Sequence, residues 1–108
     1  MIMEFIVGTD EYLFVEPTET TGELTDTFEG LGATATYSVF PDDMLLEDPN
    51  AVVLDEPVNE ITGNIFKCRI NPDDTWTQGT YALYLKITNI PGYAEKPRFG
   101  PFRFGIVQ

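Results

Sequence analysis

The stretch Thr80-Tyr81-Ala82-Leu83-Tyr84-Leu85-Lys86-Ile87-Thr88 decides the fold class. Tyr81, Leu83, Leu85 and Ile87 alternate with Ala82, Tyr84, Lys86 and Thr88, so one set of alternate positions is wholly large and apolar. An extended backbone throws successive side chains to opposite faces, so this period of two predicts a β-strand with one buried face. Upstream, Ala33–Phe40 repeats the pattern, with Ala33, Ala35, Tyr37 and Val39 set against Thr34, Thr36, Ser38 and Phe40. An apolar face backed by a hydroxyl-rich one suits a half-exposed sheet strand. Pro41-Asp42-Asp43 ends it with turn chemistry.

The same reading extends along the chain. Asn64–Ile70 puts Phe66, Cys68 and Ile70 on one face and Lys67 and Arg69 on the other. Arg98–Val107 aligns Phe102, Phe104 and Ile106, and Pro101, which has no N–H for a ladder, predicts a bulge or an edge there. Ile2–Val7 and Glu11–Val15 are short apolar runs split by Gly8-Thr9-Asp10, the second read as partner or continuation of the first. Ala51–Leu54 is a further short run, stopped by Asp55-Glu56-Pro57. Glu16–Gly32 reads as loop with a short strand near Glu23–Phe28, Met44–Asn50 as loop or one helical turn, and Asn89–Pro97 as loop. No segment shows a helical stripe. Seven or eight short strands in 108 residues predict one all-β domain, an antiparallel sandwich, with a small barrel as the structural alternative.

Composition narrows the function classes. There is no His, which removes the commonest general base and every Ser-His or Cys-His arrangement. The single Cys68 leaves no intramolecular disulfide and, in phase with Phe66 and Ile70, reads as a core residue. The start, Met1–Val7, lacks the basic flank of a signal peptide, and no apolar stretch approaches a membrane span. The expectation is a protein that is not an enzyme and carries no cofactor.

Charge is distributed unevenly. The net charge is −12, yet the first base is Lys67, so residues 1–66 carry −15 and residues 67–108 carry +3. Such a field disfavours nucleic acid and anionic membrane as partners and suits a basic protein surface, or unlike ends of neighbouring copies. The acid pairs Asp42-Asp43, Glu47-Asp48, Asp55-Glu56 and Asp73-Asp74 lack the alternating spacing of a calcium loop and read as solvated turns.

Five residues stand out as candidate contacts. Phe5 lies in the apolar start, which serves either as the first strand or as an arm adding to a neighbour's sheet. Trp76, the only Trp, and Tyr93 sit in turn segments, where a ring either caps the core or stacks on a sugar. Arg98 and Arg103 alternate with Phe in the closing segment and are available to acids of a neighbouring copy.

From Leu31 onward the order of features resembles the small immunoglobulin-like domains of tailed-phage structural proteins. The resemblance is carried by Leu31-Gly32-Ala33-Thr34-Ala35-Thr36-Tyr37-Ser38-Val39 and by Gly63–Ile70 with Asn71–Trp76 after it. It continues through Gln78-Gly79-Thr80-Tyr81 with its strand and closes on Phe99–Val107. It implies an immunoglobulin-like sandwich over 1–108, with 1–30 as N-terminal strands and acidic loop. It implies a virion subunit (capsid decoration, head-to-tail, tail or baseplate), assembled in the host bacterial cytoplasm. Its partners would be other virion proteins and copies of itself, and it transfers no catalytic residues. Two readings stand beside it: a carbohydrate-binding module, free or displayed on a particle toward a host surface glycan, and an acidic adaptor or inhibitor docking on a basic protein.

Overall fold

The computed structural model describes residues 3–17, 26–43, 47–90 and 99–108. Eight strands follow one another: β1 Glu4–Ile6, β2 Glu11–Val15, β3 Thr34–Pro41, β4 Val53–Pro57, β5 Glu60–Thr62, β6 Ile65–Ile70, β7 Gly79–Thr88 and β8 Phe99–Val107, with a single 3-10 turn at Asp48–Asn50. They form two sheets, one of five strands in the order β1-β8-β7-β3-β4 and one of three in the order β2-β6-β5. The protein is therefore an all-β sandwich, as the alternation predicts, and not a closed barrel.

The long strand β7 is the spine of the larger sheet. It pairs β3 without interruption from Thr34↔Thr88 to Pro41↔Tyr81, and β8 on its other side. Tyr81, Leu83, Leu85 and Ile87 face inward and meet Phe66, Cys68 and Ile70 of β6 and Leu13 and Val15 of β2 in one apolar cluster. That core is the main source of stability, because each fully buried Leu, Ile or Phe contributes roughly 1.5–3 kcal/mol.

Four details differ from the sequence expectation. β1 and β2 are neither a hairpin nor one continued strand. Gly8, at φ +90°, and Thr9, whose N–H and hydroxyl both donate to the Ile6 carbonyl, turn the chain from one sheet into the other. β1 then pairs β8 in parallel, Phe5 opposite Ile106, so the sandwich is antiparallel except at this edge. β4 runs through Asp55-Glu56-Pro57 instead of stopping before it, since an edge strand tolerates charges and a proline on its open side. β5, only three residues long, is too short for its alternation to be read. The bulge expected at Pro101 is present: Leu83 pairs Phe102 and Leu85 pairs Phe99, so β8 has one residue more than β7 across that interval. The strand considered near Glu23–Phe28 and most of the Asn89–Pro97 loop lie outside the described residues. Asp26–Gly32 forms turns, with Phe28 buried against Phe66.

Candidate functional site

Phe5 belongs to the core. It is 2% exposed and packs edge-on against Phe104 at 5.5 Å between ring centres, so the apolar start is a strand of this sandwich. Trp76 is also interior, at 5% exposure. Its ring lies 5.4 Å from Tyr81, which stacks on Phe104 at 6.0 Å. Phe5, Phe104, Tyr81 and Trp76 thus form one aromatic ladder along the core. The turn carrying Trp76 is built by Asp73, whose carbonyl accepts the Trp76 N–H and whose carboxylate accepts from Thr75, which holds that carboxyl below its ordinary range. Buried in this way, the indole offers no free face to a sugar. Trp76 reaches only the wall of a groove of about 390 Å³ at the mouth between the sheets, beside Tyr37, Glu56, Arg69 and Asn71.

Arg103 lies on the outer face of the larger sheet, where its Nε donates to both carboxylate oxygens of Asp42 at 3.2 and 3.3 Å. Its charge is met within the chain. Arg69 is likewise paired with Asp10, so folding brings the two described arginines of the basic segment onto acids of the acidic one. Tyr93 and Arg98 lie outside the described residues. The Cys68 thiol is fully buried, and burial pushes its pKa up to about 12. A sealed, protonated thiol is not a nucleophile. Among the described residues no group of three or more His, Cys, Asp or Glu side chains could hold a metal.

The surface with chemistry to offer is the outer face of the three-stranded sheet. β2 sends Leu13 and Val15 inward, which leaves Tyr12 at 39% and Phe14 at 62% exposed on the outside. β6 adds Ile65 at 41%, with Lys67 and Arg69 on the same face. Register places Tyr12 beside Arg69 and Phe14 beside Lys67, and the Lys67 ammonium lies 4.3 Å from the centre of the Tyr12 ring. A cation over an aromatic face is mildly attractive and keeps both groups in place. Around this apolar centre stand Asp10, Glu16 and Glu60, three carboxylates against the two bases.

None of the three described candidate contacts, Phe5, Trp76 and Arg103, lies on this face. Its signal was in Glu11-Tyr12-Leu13-Phe14-Val15, where large apolar residues occupy both faces of a short strand. In a two-layer sandwich one of those faces is outside, so the alternate large residues of such a strand are exposed. No family model matches the chain, and neither the curated proteins nor the solved structures include one that is similar to it.

Proposed function

We propose that this chain is a non-enzymatic, immunoglobulin-like protein-binding domain that serves as an accessory subunit of a tailed-phage particle. Two features support the immunoglobulin-like reading. The order β8-β7-β3-β4 follows the G-F-C-C′ order of such a sheet, and β2-β6-β5 follows B-E-D. Near the start of β7 the Tyr81 hydroxyl donates to the Thr77 carbonyl at 2.7 Å, the arrangement of a tyrosine corner. The place in a particle rests on the resemblance of Leu31–Val39, Gly63–Ile70 and Gln78–Thr88 to phage structural domains.

The single observation that carries the binding role is the exposed Tyr12-Phe14-Ile65 face, with Lys67 and Arg69 on it, in a chain of net charge −12. An apolar cluster rimmed by charged residues is the kind of surface that attaches to another protein. The buried Trp76 lends no support to a carbohydrate module. Mass spectrometry and cryo-electron microscopy of purified phage particles test the proposal. The chain at a fixed copy number and symmetry is the expected result, and its absence from particles sinks the reading.

A further inference from the structure

Two open sheets have four edges, and each edge strand is a potential template for another chain. Three of the four carry devices that discourage such pairing. β1 and β5 are only three residues long. β4 is bulged where Tyr37 pairs Glu56 and Val39 pairs Val53, and it carries Asp55 and Glu56. It ends on Pro57, opposite Thr36 in a pair flanked by the Val58-to-Ala35 hydrogen bond. That alternation points the backbone nitrogen of Pro57 away from β3, so an incoming strand would find no donor there.

β2 has none of these devices. It is five residues long, keeps unbroken register with β6 from Glu11↔Ile70 to Val15↔Phe66, and contains no proline. Among the described residues no strand pairs with its outer edge. Tyr12 and Phe14, the exposed aromatics, stand on this same strand.

We propose that the outer edge of β2 receives an extended segment of a partner protein as a fourth strand of the β2-β6-β5 sheet. The segment would set apolar side chains beside Tyr12 and Phe14 and carry lysine or arginine toward its ends. The apolar requirement comes from Phe14, which is 62% exposed, stands opposite Lys67 of β6, and has no described strand on its other side. The basic requirement comes from the ends of β2, where Asp10 precedes it, Glu11 opens it and Glu16 follows it. Arg69 already neutralises Asp10, which leaves Glu11 and Glu16 as the carboxylates at the two ends of β2. A second copy fits less well, because two β2 strands side by side would bring these acids together in a pair of chains each at −12. Main-chain pairing would supply affinity and the alternate side chains selectivity. The inference rests on the protein-binding reading and names its surface, whatever the partner's place in a particle.

The test uses the full chain and a capped peptide of about ten residues alternating lysine and valine, long enough to overrun β2 at both ends. An aspartate-valine peptide of the same length is the control. In a nuclear magnetic resonance titration the lysine peptide should shift the amides of Glu11–Val15, and the aspartate peptide should not. Affinity should fall at least about tenfold in Phe14→Ser. It should fall steeply as salt is raised from about 0.05 to 0.5 M, and stay unchanged in Leu54→Ser on the edge strand β4. Equal binding of both peptides, shifts confined to other strands, or Phe14→Ser binding as the parent would overturn the proposal. So would a dimer in sedimentation that Phe14→Ser dissolves, since the edge would then belong to a second copy. Particles that incorporate Phe14→Ser as readily as the parent would refute the surface while leaving the particle role intact. Particles that lack the parent chain would refute that role while leaving peptide binding to be read independently.

Discussion

Arg69 of β6 grips Asp10 with two hydrogen bonds, Nε to Oδ1 at 2.7 Å and Nη2 to Oδ2 at 2.8 Å, and so fastens the residue that leads into β2. Asp10 follows the turn by which the chain leaves one sheet for the other, so the pair stands where a long-range tether fixes the entry of β2. The Arg69 backbone takes part too, accepting the Tyr37 hydroxyl across the sandwich at 2.7 Å. One residue of β6 therefore contacts the start of β2 and a core strand of the opposite sheet.

The guanidinium hydrogen bonds hold the Asp10 carboxyl below its ordinary value of 3.8. A carboxyl depressed in the folded state adds stability that is present above the unfolded value and lost as pH falls through the folded one. Asp10→Asn should therefore melt slightly below the parent at pH 6, with the gap closing as pH falls below about 3.8. Both partners are about half exposed, so the gap should be small and should shrink in high salt. Melting curves at several pH values decide it, and a gap independent of pH would show that the pair is not its cause.

Tyr81 tests the corner at the start of β7. Its ring is buried in the aromatic ladder, and its hydroxyl reaches the Thr77 carbonyl at 2.7 Å. Tyr81→Phe keeps the packing and removes only the hydroxyl's bonds to the Thr77 carbonyl and hydroxyl, at a cost of about 1–2 kcal/mol. Urea unfolding should show a lower midpoint with an unchanged slope. An unmoved midpoint would mean that the hydroxyl does not pin the turn.

How much of this fold is legible in the sequence depends on strand length and on which side of a strand faces solvent. β3, β6, β7 and β8 announce themselves because each is long enough for its alternation to be read, and each has a face in the core. β5 has three residues and no readable period. The parallel pairing of β1 with β8 depends on contacts across nearly the whole chain, which no local pattern encodes. The site is harder to read for a different reason. An aromatic residue in a turn and one in the core look alike until the packing is known, and Trp76 falls on the interior side. Likewise the segregation of acids and bases suggests unlike ends between copies, whereas Arg69–Asp10 and Arg103–Asp42 close within one chain.

Gly100 shows how the closing strand accommodates its bulge. Its backbone sits at φ +135°, a region L-residues rarely adopt, and a Cβ there would lie 2.8 Å from the Leu83 carbonyl oxygen and 3.2 Å from Cδ1 of Tyr84. The carbonyl belongs to β7 and cannot move without disturbing the spine of the sheet. Gly100→Ala should cost about 1–3 kcal/mol from backbone strain alone, and more if β8 shifts. Gly63→Ala, also at positive φ but with open space around it, should cost no more than the conformational part. Equal destabilisation of the two variants would rule out the clash with Leu83.

Two buried weak acids, Tyr37 and Cys68, link folding to alkaline pH. Burial pushes the Tyr37 hydroxyl from 10.0 to about 12, helped by the neighbouring Cys68 and Glu56, and burial pushes the Cys68 thiol from 9.0 to about 12. Both groups hold their protons more tightly folded than unfolded, so their contribution is complete below the unfolded values and is lost as pH rises toward the folded ones. The window follows directly: the unfolded chain releases the Cys68 proton above 9 and the Tyr37 proton above 10, while the folded chain keeps both until about 12. Urea midpoints should therefore stay level near neutrality and fall progressively from pH 9 upward. Cys68→Ala should delay the onset of that fall toward pH 10, and Tyr37→Phe should make it shallower above pH 10. General charge repulsion acts on parent and variants alike, so the difference between their curves isolates the two groups. Parallel curves for parent and both variants would show that neither proton is linked to folding.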